Sequence, residues 1–114
     1  MTLVVDTSAL MAILLGEPEG KRCIDALAAN ANVVISAGTA AEALIVAARR
    51  GCRREMEELL RRVGAEAVAV TAGDAGKLAD AYDVWGKGVH PAGLNFGDCF
   101  AYVLAKARKA PLLF

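Results

Sequence analysis

Four short apolar runs, residues 2–5, 33–35, 67–70 and 111–114, alternate along the chain with longer stretches of helical periodicity, and this alternation constrains the fold more than any other feature. Neighbouring parallel strands need a crossover of a dozen or more residues between them, usually a helix, and the intervals here have that length. The pattern therefore predicts an α/β domain: three layers, α/β/α, around a mostly parallel central sheet covered on both faces. At 114 residues the chain is expected to form a single domain, 1–114, large enough to bury a core without staples. No internal repeat, linker or low-complexity segment interrupts it.

The helical stretches have readable boundaries. Residues 8–15 end at Gly16 and Pro18, a second helix covers about 19–29, a third runs from Thr39 to Arg50 before Gly51, and a fourth from Arg53 to Val63 before Gly64. In the fourth, Cys52, Met56, Leu59, Leu60 and Val63 share a stripe, and Glu57–Arg61 and Glu58–Arg62 are expected as ion pairs on the opposite side. Thr71 is expected to cap a helix that carries Leu78, Tyr82 and Trp85 on one face; GKGVHPAG reads as a loop, and Asn95 as the cap of the last helix.

Several function classes are excluded or made remote. No apolar run is long enough to cross a bilayer and the N-terminus lacks a signal-peptide pattern, so a cytoplasmic location without membrane attachment is expected. Three dispersed cysteines, with no CxxC pair, read as reduced thiols rather than a disulfide framework or zinc knot. GDAGKLAD lacks P-loop spacing. Thirteen basic and thirteen acidic residues cancel, so contact with a polyanion must come from local clusters such as Arg49, Arg50, Arg53 and Arg54. Arg54 and its neighbours can be absorbed by ion pairs on a solvated face; Arg49 and Arg50, beyond Glu42 on the same helix, are the better candidates for contact with a nucleic acid.

Three carboxylates resist an ordinary explanation. Asp6 follows a buried strand in VVDTSAL, Glu42 sits among alanines and aliphatics in TAAEALIVA, and Asp98 interrupts LNFGDCFAYVLA. Each alone has a simple alternative: an N-cap for Asp6, an exposed first-turn glutamate for Glu42, a first-turn partner of the Asn95 cap for Asp98. Together, each near a helix start beside a strand end, they could converge on one pocket, where their repulsion would need a shared cation. With oxygen ligands, one histidine and no paired cysteines, that cation is expected to be hard, Mg²⁺ or Mn²⁺.

These residues resemble a known family. VVDTSAL, a glutamate in a mid-chain helix, HPAGLNFGDCFAYVLAKA and a closing PLLF are similar to the PIN-domain ribonuclease toxins of the VapC type, over practically the whole chain. The resemblance implies a Mg²⁺-dependent endoribonuclease of a type II toxin–antitoxin system, acting on RNA such as tRNA or rRNA, held inactive by a cognate antitoxin and assembled as a homodimer. It implies Asp6 and Asp98 as principal metal ligands, Glu42 as the third acidic member, and Ser8 as a residue that orients Asp6. Cleavage by a cation-activated water would leave 5′-phosphate and 3′-hydroxyl ends.

One departure stands out. Family members usually continue past the closing strand into a turn that supplies a fourth carboxylate, and this chain stops at Phe114, so the expectation is a domain lacking its extreme C-terminal segment. The alternatives are a non-catalytic PIN-like scaffold that binds RNA or a partner, and an aspartyl-phosphate phosphatase. The latter is weakened because Ser8 stands where such enzymes resemble a second aspartate. His90 reads as a loop residue, and Trp85 and Tyr82 as packing residues rather than base-stacking ones.

Overall fold

The computed structural model describes residues 1–114, and its elements follow in the order β1 (Thr2–Val5), α1 (Thr7–Leu14), α2 (Gly20–Ala29), β2 (Asn32–Ser36), α3 (Ala37–Arg49), α4 (Arg53–Val63), β3 (Glu66–Val68), α5 (Asp74–Trp85), α6 (Phe96–Arg108) and β4 (Leu112–Leu113). The four strands form one sheet in the order β3-β2-β1-β4. Every pairing is parallel, with Leu3 opposite Val33, Ile35 opposite Ala67 and Val4 opposite Leu112.

Strand residues point alternately to the two faces, and both faces are buried. Leu3, Val5, Val33, Ile35 and Leu113 pack with Leu10, Cys23, Ala43, Ala47 and Met56, so α1 to α4 cover one face. Val4, Val34, Val68 and Leu112 turn the other way onto Leu104 and Ala105 of α6, against which α5 lies. This is the three-layer arrangement that the alternation predicts. Near-continuous apolar strands such as VVI are what a sheet with two covered faces demands.

From β1 the chain moves outward through β2 to β3, then crosses the other face to reach β4 on the far side of β1. The connection that leaves β1 and the one that enters its neighbour β4 thus lie on opposite faces of the sheet. In open parallel sheets such a switch point leaves a crevice at the carboxyl ends of the strands. Asp6 is the first residue beyond β1 there.

Several expected boundaries move. Helix α3 begins at Ala37 rather than Thr39, because Ser36, the last residue of β2, caps it by accepting the Gly38 N–H at 3.2 Å. Glu42 is therefore not in the first turn, and a dipole-stabilised first-turn glutamate is not its role. Thr71 does not cap α5: the Asp74 side chain accepts the Thr71 backbone N–H at 2.8 Å, and the helix starts at Asp74. On α4, Glu58 takes both Arg61 and Arg62, while Glu57 pairs with Arg53 at 3.1 Å in place of Arg61. Arg54 is left out of these pairs. No helix is long and apolar enough to cross a membrane, and Cys23, Cys52 and Cys99 are all free thiols.

Candidate active site

Asp6 is held in place before its carboxylate is considered. Its backbone is extended (φ −102°, ψ 161°), and its N–H donates to the Leu113 carbonyl at 2.9 Å, continuing the β1–β4 pairing by one residue. The position is that of an N-cap of α1, yet the side chain makes no capping hydrogen bond. The residue is only 6% exposed. Ser8 Oγ donates to Oδ2 at a long 3.4 Å, and the buried Oδ1 has no partner. Burial raises its pKa from 3.8 to about 6; the Thr7 amide opposes this most, the charges of Asp98 and then Glu42 add to the rise, and the Ser8 hydroxyl lowers it least.

Asp98 reaches the same crevice from the first turn of α6. Asn95 Oδ1 accepts the Asp98 N–H at 2.8 Å, and Asp98 Oδ2 accepts the Asn95 N–H at 3.0 Å, a complete capping box. The capping role proposed for Asp98 is therefore real, and it is compatible with the second one. With Oδ2 committed to the cap, Oδ1 remains for the cavity that Asp98 shares with Asp6 and Ser8.

Glu42 approaches from α3. Thr7 Oγ1 donates to its Oε1 at 2.6 Å, a strong hydrogen bond to an ionised group that links residues 35 apart in sequence. On its other side lies the first turn of α6: a Cβ added at Gly97 would overlap the Glu42 carboxylate. One turn further along, Gly38 of α3 lies against the Phe100 ring in the same way, with no room for a Cβ. The two glycines let α3 and α6 approach until Glu42 stands next to the helix that carries Asp98.

The donor set suits a hard divalent cation. It is all oxygen and centred on a buried carboxylate with an unpartnered atom, beside two further carboxylates close enough to raise its pKa. The three side chains do not stand as a finished cage, because no group of three or more His, Cys, Asp or Glu side chains is spaced to hold a metal ion. Repulsion and prior commitments explain this: Glu42 is drawn to Thr7 and Asp98 to its cap.

Comparison with known proteins places the fold. A profile of the PIN domain matches residues 3–114. Ribonuclease VapC30 of Mycobacterium tuberculosis is 44% identical over 115 aligned residues, which take in 98% of this chain and 88% of that protein. The chain belongs to the VapC family of PIN-domain proteins. Solved structures show the same fold at low identity. A toxin–antitoxin complex from Klebsiella pneumoniae aligns with a TM-score of 0.73 and 16% identity over 98% of this chain and 84% of that one. VapC20 of M. tuberculosis, described as a toxin cleaving the sarcin–ricin loop, has the same TM-score and identity over 95% and 84%.

Against this PIN fold, the residues singled out in sequence divide into two groups. Asp6, Ser8 and Asp98 share one cavity, and Glu42 adjoins it through Thr7 and Gly97. Arg49 and Arg50 lie at the exposed C-terminal end of α3, at least seven residues along the helix from Glu42, and take part in no ion pair. Thr7 and Gly97 escaped sequence reasoning altogether. A threonine after an aspartate and a glycine before one carry no signal of a contact made across the fold.

Proposed function

We propose that this PIN domain is the toxin of a type II toxin–antitoxin pair, an endoribonuclease that depends on Mg²⁺ or Mn²⁺ and is silenced by a cognate antitoxin. The observation that carries the reading is Asp6: a buried carboxylate with an unpartnered oxygen, at the switch point of a parallel sheet, flanked by Asp98 and Glu42. The ribonuclease names of relatives 44% identical over nearly the whole chain support the substrate class, and the toxin–antitoxin neighbour supports the partner. An RNA substrate such as tRNA or rRNA, met in the cytoplasm, and a homodimeric assembly complete the proposal.

In this reading Asp6 and Asp98 hold the cation directly, Glu42 completes the acidic set, and Ser8 orients Asp6. A cation held there would supply a water of lowered pKa and compensation for charge on the phosphoryl oxygens. The chain's own contribution is positional. The β1–β4 ladder fixes Asp6, the capping box fixes Asp98 through one oxygen, and Thr7 with Gly97 confines Glu42. Arg49 and Arg50 lie unpaired on the surface, available to RNA phosphates. A second reading, a PIN-like scaffold that binds RNA or a partner without cutting, is favoured by the carboxylates standing apart.

Incubation with total RNA separates the two. Cleavage is expected with Mg²⁺, is expected to stop in EDTA, and is expected to stop in Asp98→Asn, a change that keeps a capping side chain and so preserves α6. The fragments should carry 5′-phosphate ends. Cleavage that persists in both EDTA and the variant overturns the metal-dependent reading; a folded wild type that binds RNA but never cuts it establishes the scaffold.

A further inference from the structure

The cavity that holds Asp6 and Asp98 has a second wall of a different character. Its volume is about 440 Å³, and apart from Asp6, Asp98 and Ser8 it is lined by apolar and aromatic side chains, among them Trp85 at the end of α5 and Tyr102 of α6. A site meant only for a cation and a phosphate has no use for such a wall. Pockets of roughly 300–1,000 Å³ that join apolar surface to a few polar groups are the usual form of sites for small organic groups.

Trp85 is set rigidly. Its carbonyl accepts the Leu94 N–H at 2.9 Å, and the Lys87 N–H donates to the Leu94 carbonyl at 2.8 Å, so that Gly86 and Leu94 form a short parallel bridge closing the loop 86–94. His90 of that loop packs edge-on against the indole, with ring centroids 4.6 Å apart at 72°. His90 is itself fixed, its Nδ1 accepting the Ala92 N–H at 2.9 Å. Trp85 and Tyr102 are each half-buried and do not pair with one another, so both remain available to a third flat group.

The same two rings also line the adjoining groove between α5 and α6, of about 360 Å³, which carries the exposed Lys77 and Lys106 and one carboxylate, Asp80, for a net positive charge. Three surfaces thus follow one another: carboxylates, two aromatic rings, two ammonium groups. A single strand of RNA repeats the complementary chemistry, with a phosphate at the metal centre, a flat base and the next phosphate. The chain has no net charge to draw RNA in and carries carboxylates where the scissile phosphate must go. Affinity must then come from contacts that carboxylates do not repel, and base–aromatic stacking is one of them.

We infer that Trp85 and Tyr102 form a nucleobase subsite beside the acidic centre, taking one unstacked base of a single-stranded or splayed-out segment, with the adjoining phosphate led toward Lys77 and Lys106. The inference rests on the nuclease reading for its choice of RNA. A base inside a duplex cannot offer its face to the rings, so the subsite selects loops and single strands.

Trp85 is the only tryptophan in the chain, so its fluorescence reports on the subsite alone. The full chain at low salt in EDTA, titrated with a labelled RNA pentanucleotide, should show saturable quenching of Trp85 that tracks binding measured by label anisotropy. An abasic ribose-phosphate pentamer should quench far less. Tyr102→Ala, which leaves Trp85 and its loop in place, should weaken RNA binding on the order of 5- to 100-fold, the usual range for loss of one stacking contact. In Mg²⁺ it should raise KM for cleavage far more than it lowers kcat. Binding without quenching, equal quenching by the abasic pentamer, or an unchanged KM in Tyr102→Ala while wild type still cuts RNA overturns the subsite and leaves the nuclease intact. Neither binding nor cleavage by wild type overturns both.

Discussion

Asp6 is costly to the native state. Its pKa rises from 3.8 to about 6 on folding, so the folded chain holds the proton more tightly than the unfolded one. The ionised carboxylate opposes folding fully above pH 6, and that opposition fades as the pH falls through 6 toward 3.8; at neutral pH it amounts to at most about 3 kcal/mol. Asp6→Asn is therefore expected to raise the urea midpoint of the metal-free protein near neutral pH and to change it little near pH 3.5; a destabilised variant near neutral pH would contradict this sign. The Glu42 clamp gives a second expectation. Thr7→Val removes the hydroxyl at 2.6 Å and should cost cleavage on the order of 10- to 100-fold, whereas Thr7→Ser should retain most of it. Gly97→Ala forces a methyl into the Glu42 carboxylate and should both slow cleavage and destabilise the fold by roughly 1–3 kcal/mol, measured by denaturation. None of these contacts is visible in DTS or FGD as strings; each joins residues dozens of positions apart.

At the scale of elements, α6 carries structural and functional duty on the same turn. Its capping box makes Asp98 part of the helix start, so Asn95→Ala, which removes the Oδ1 that accepts the Asp98 N–H, should lower stability by about 1 kcal/mol in urea and also reduce cleavage, because the first turn that carries the Asp98 backbone loses its cap. Variants whose stability falls with no loss of cleavage would separate the two duties. The end of α3 offers a different test. Arg49 and Arg50 are exposed and make no ion pair; changing both to Glu should weaken RNA binding most at low salt and flatten its salt dependence, as expected when phosphate contacts are lost. Element boundaries were legible where residues act locally: Gly64 ends α4 in the left-handed conformation (φ 66°), and Asn95 caps α6 as read. They were misread where one residue serves two elements, as Ser36 does in closing β2 and capping α3.

For the whole molecule, a cation that binds the folded acidic cluster and not the unfolded chain must stabilise the fold by mass action. Added Mg²⁺ is expected to raise the thermal midpoint of wild type near neutral pH and to lose this effect near pH 4, where Asp6 is protonated; Asp6→Asn should show little shift at either pH. The sequence by itself determined the α/β class, the parallel sheet, the run of helices and the three unusual carboxylates, because hydrophobic period, crossover length and turn residues act over a few positions. It also carried the resemblance to the PIN toxins, which rests on strings such as GLNFGDCFAYVLAK. Only the tertiary structure decided the rest. The strand order β3-β2-β1-β4 puts Asp6 at a switch point, close packing at Gly38 and Gly97 brings Glu42 beside α6, and a closed loop turns Trp85 toward the acidic cavity instead of the core. Those outcomes depend on which surfaces meet once the sheet has formed, a property of packed layers that no window of neighbouring residues contains.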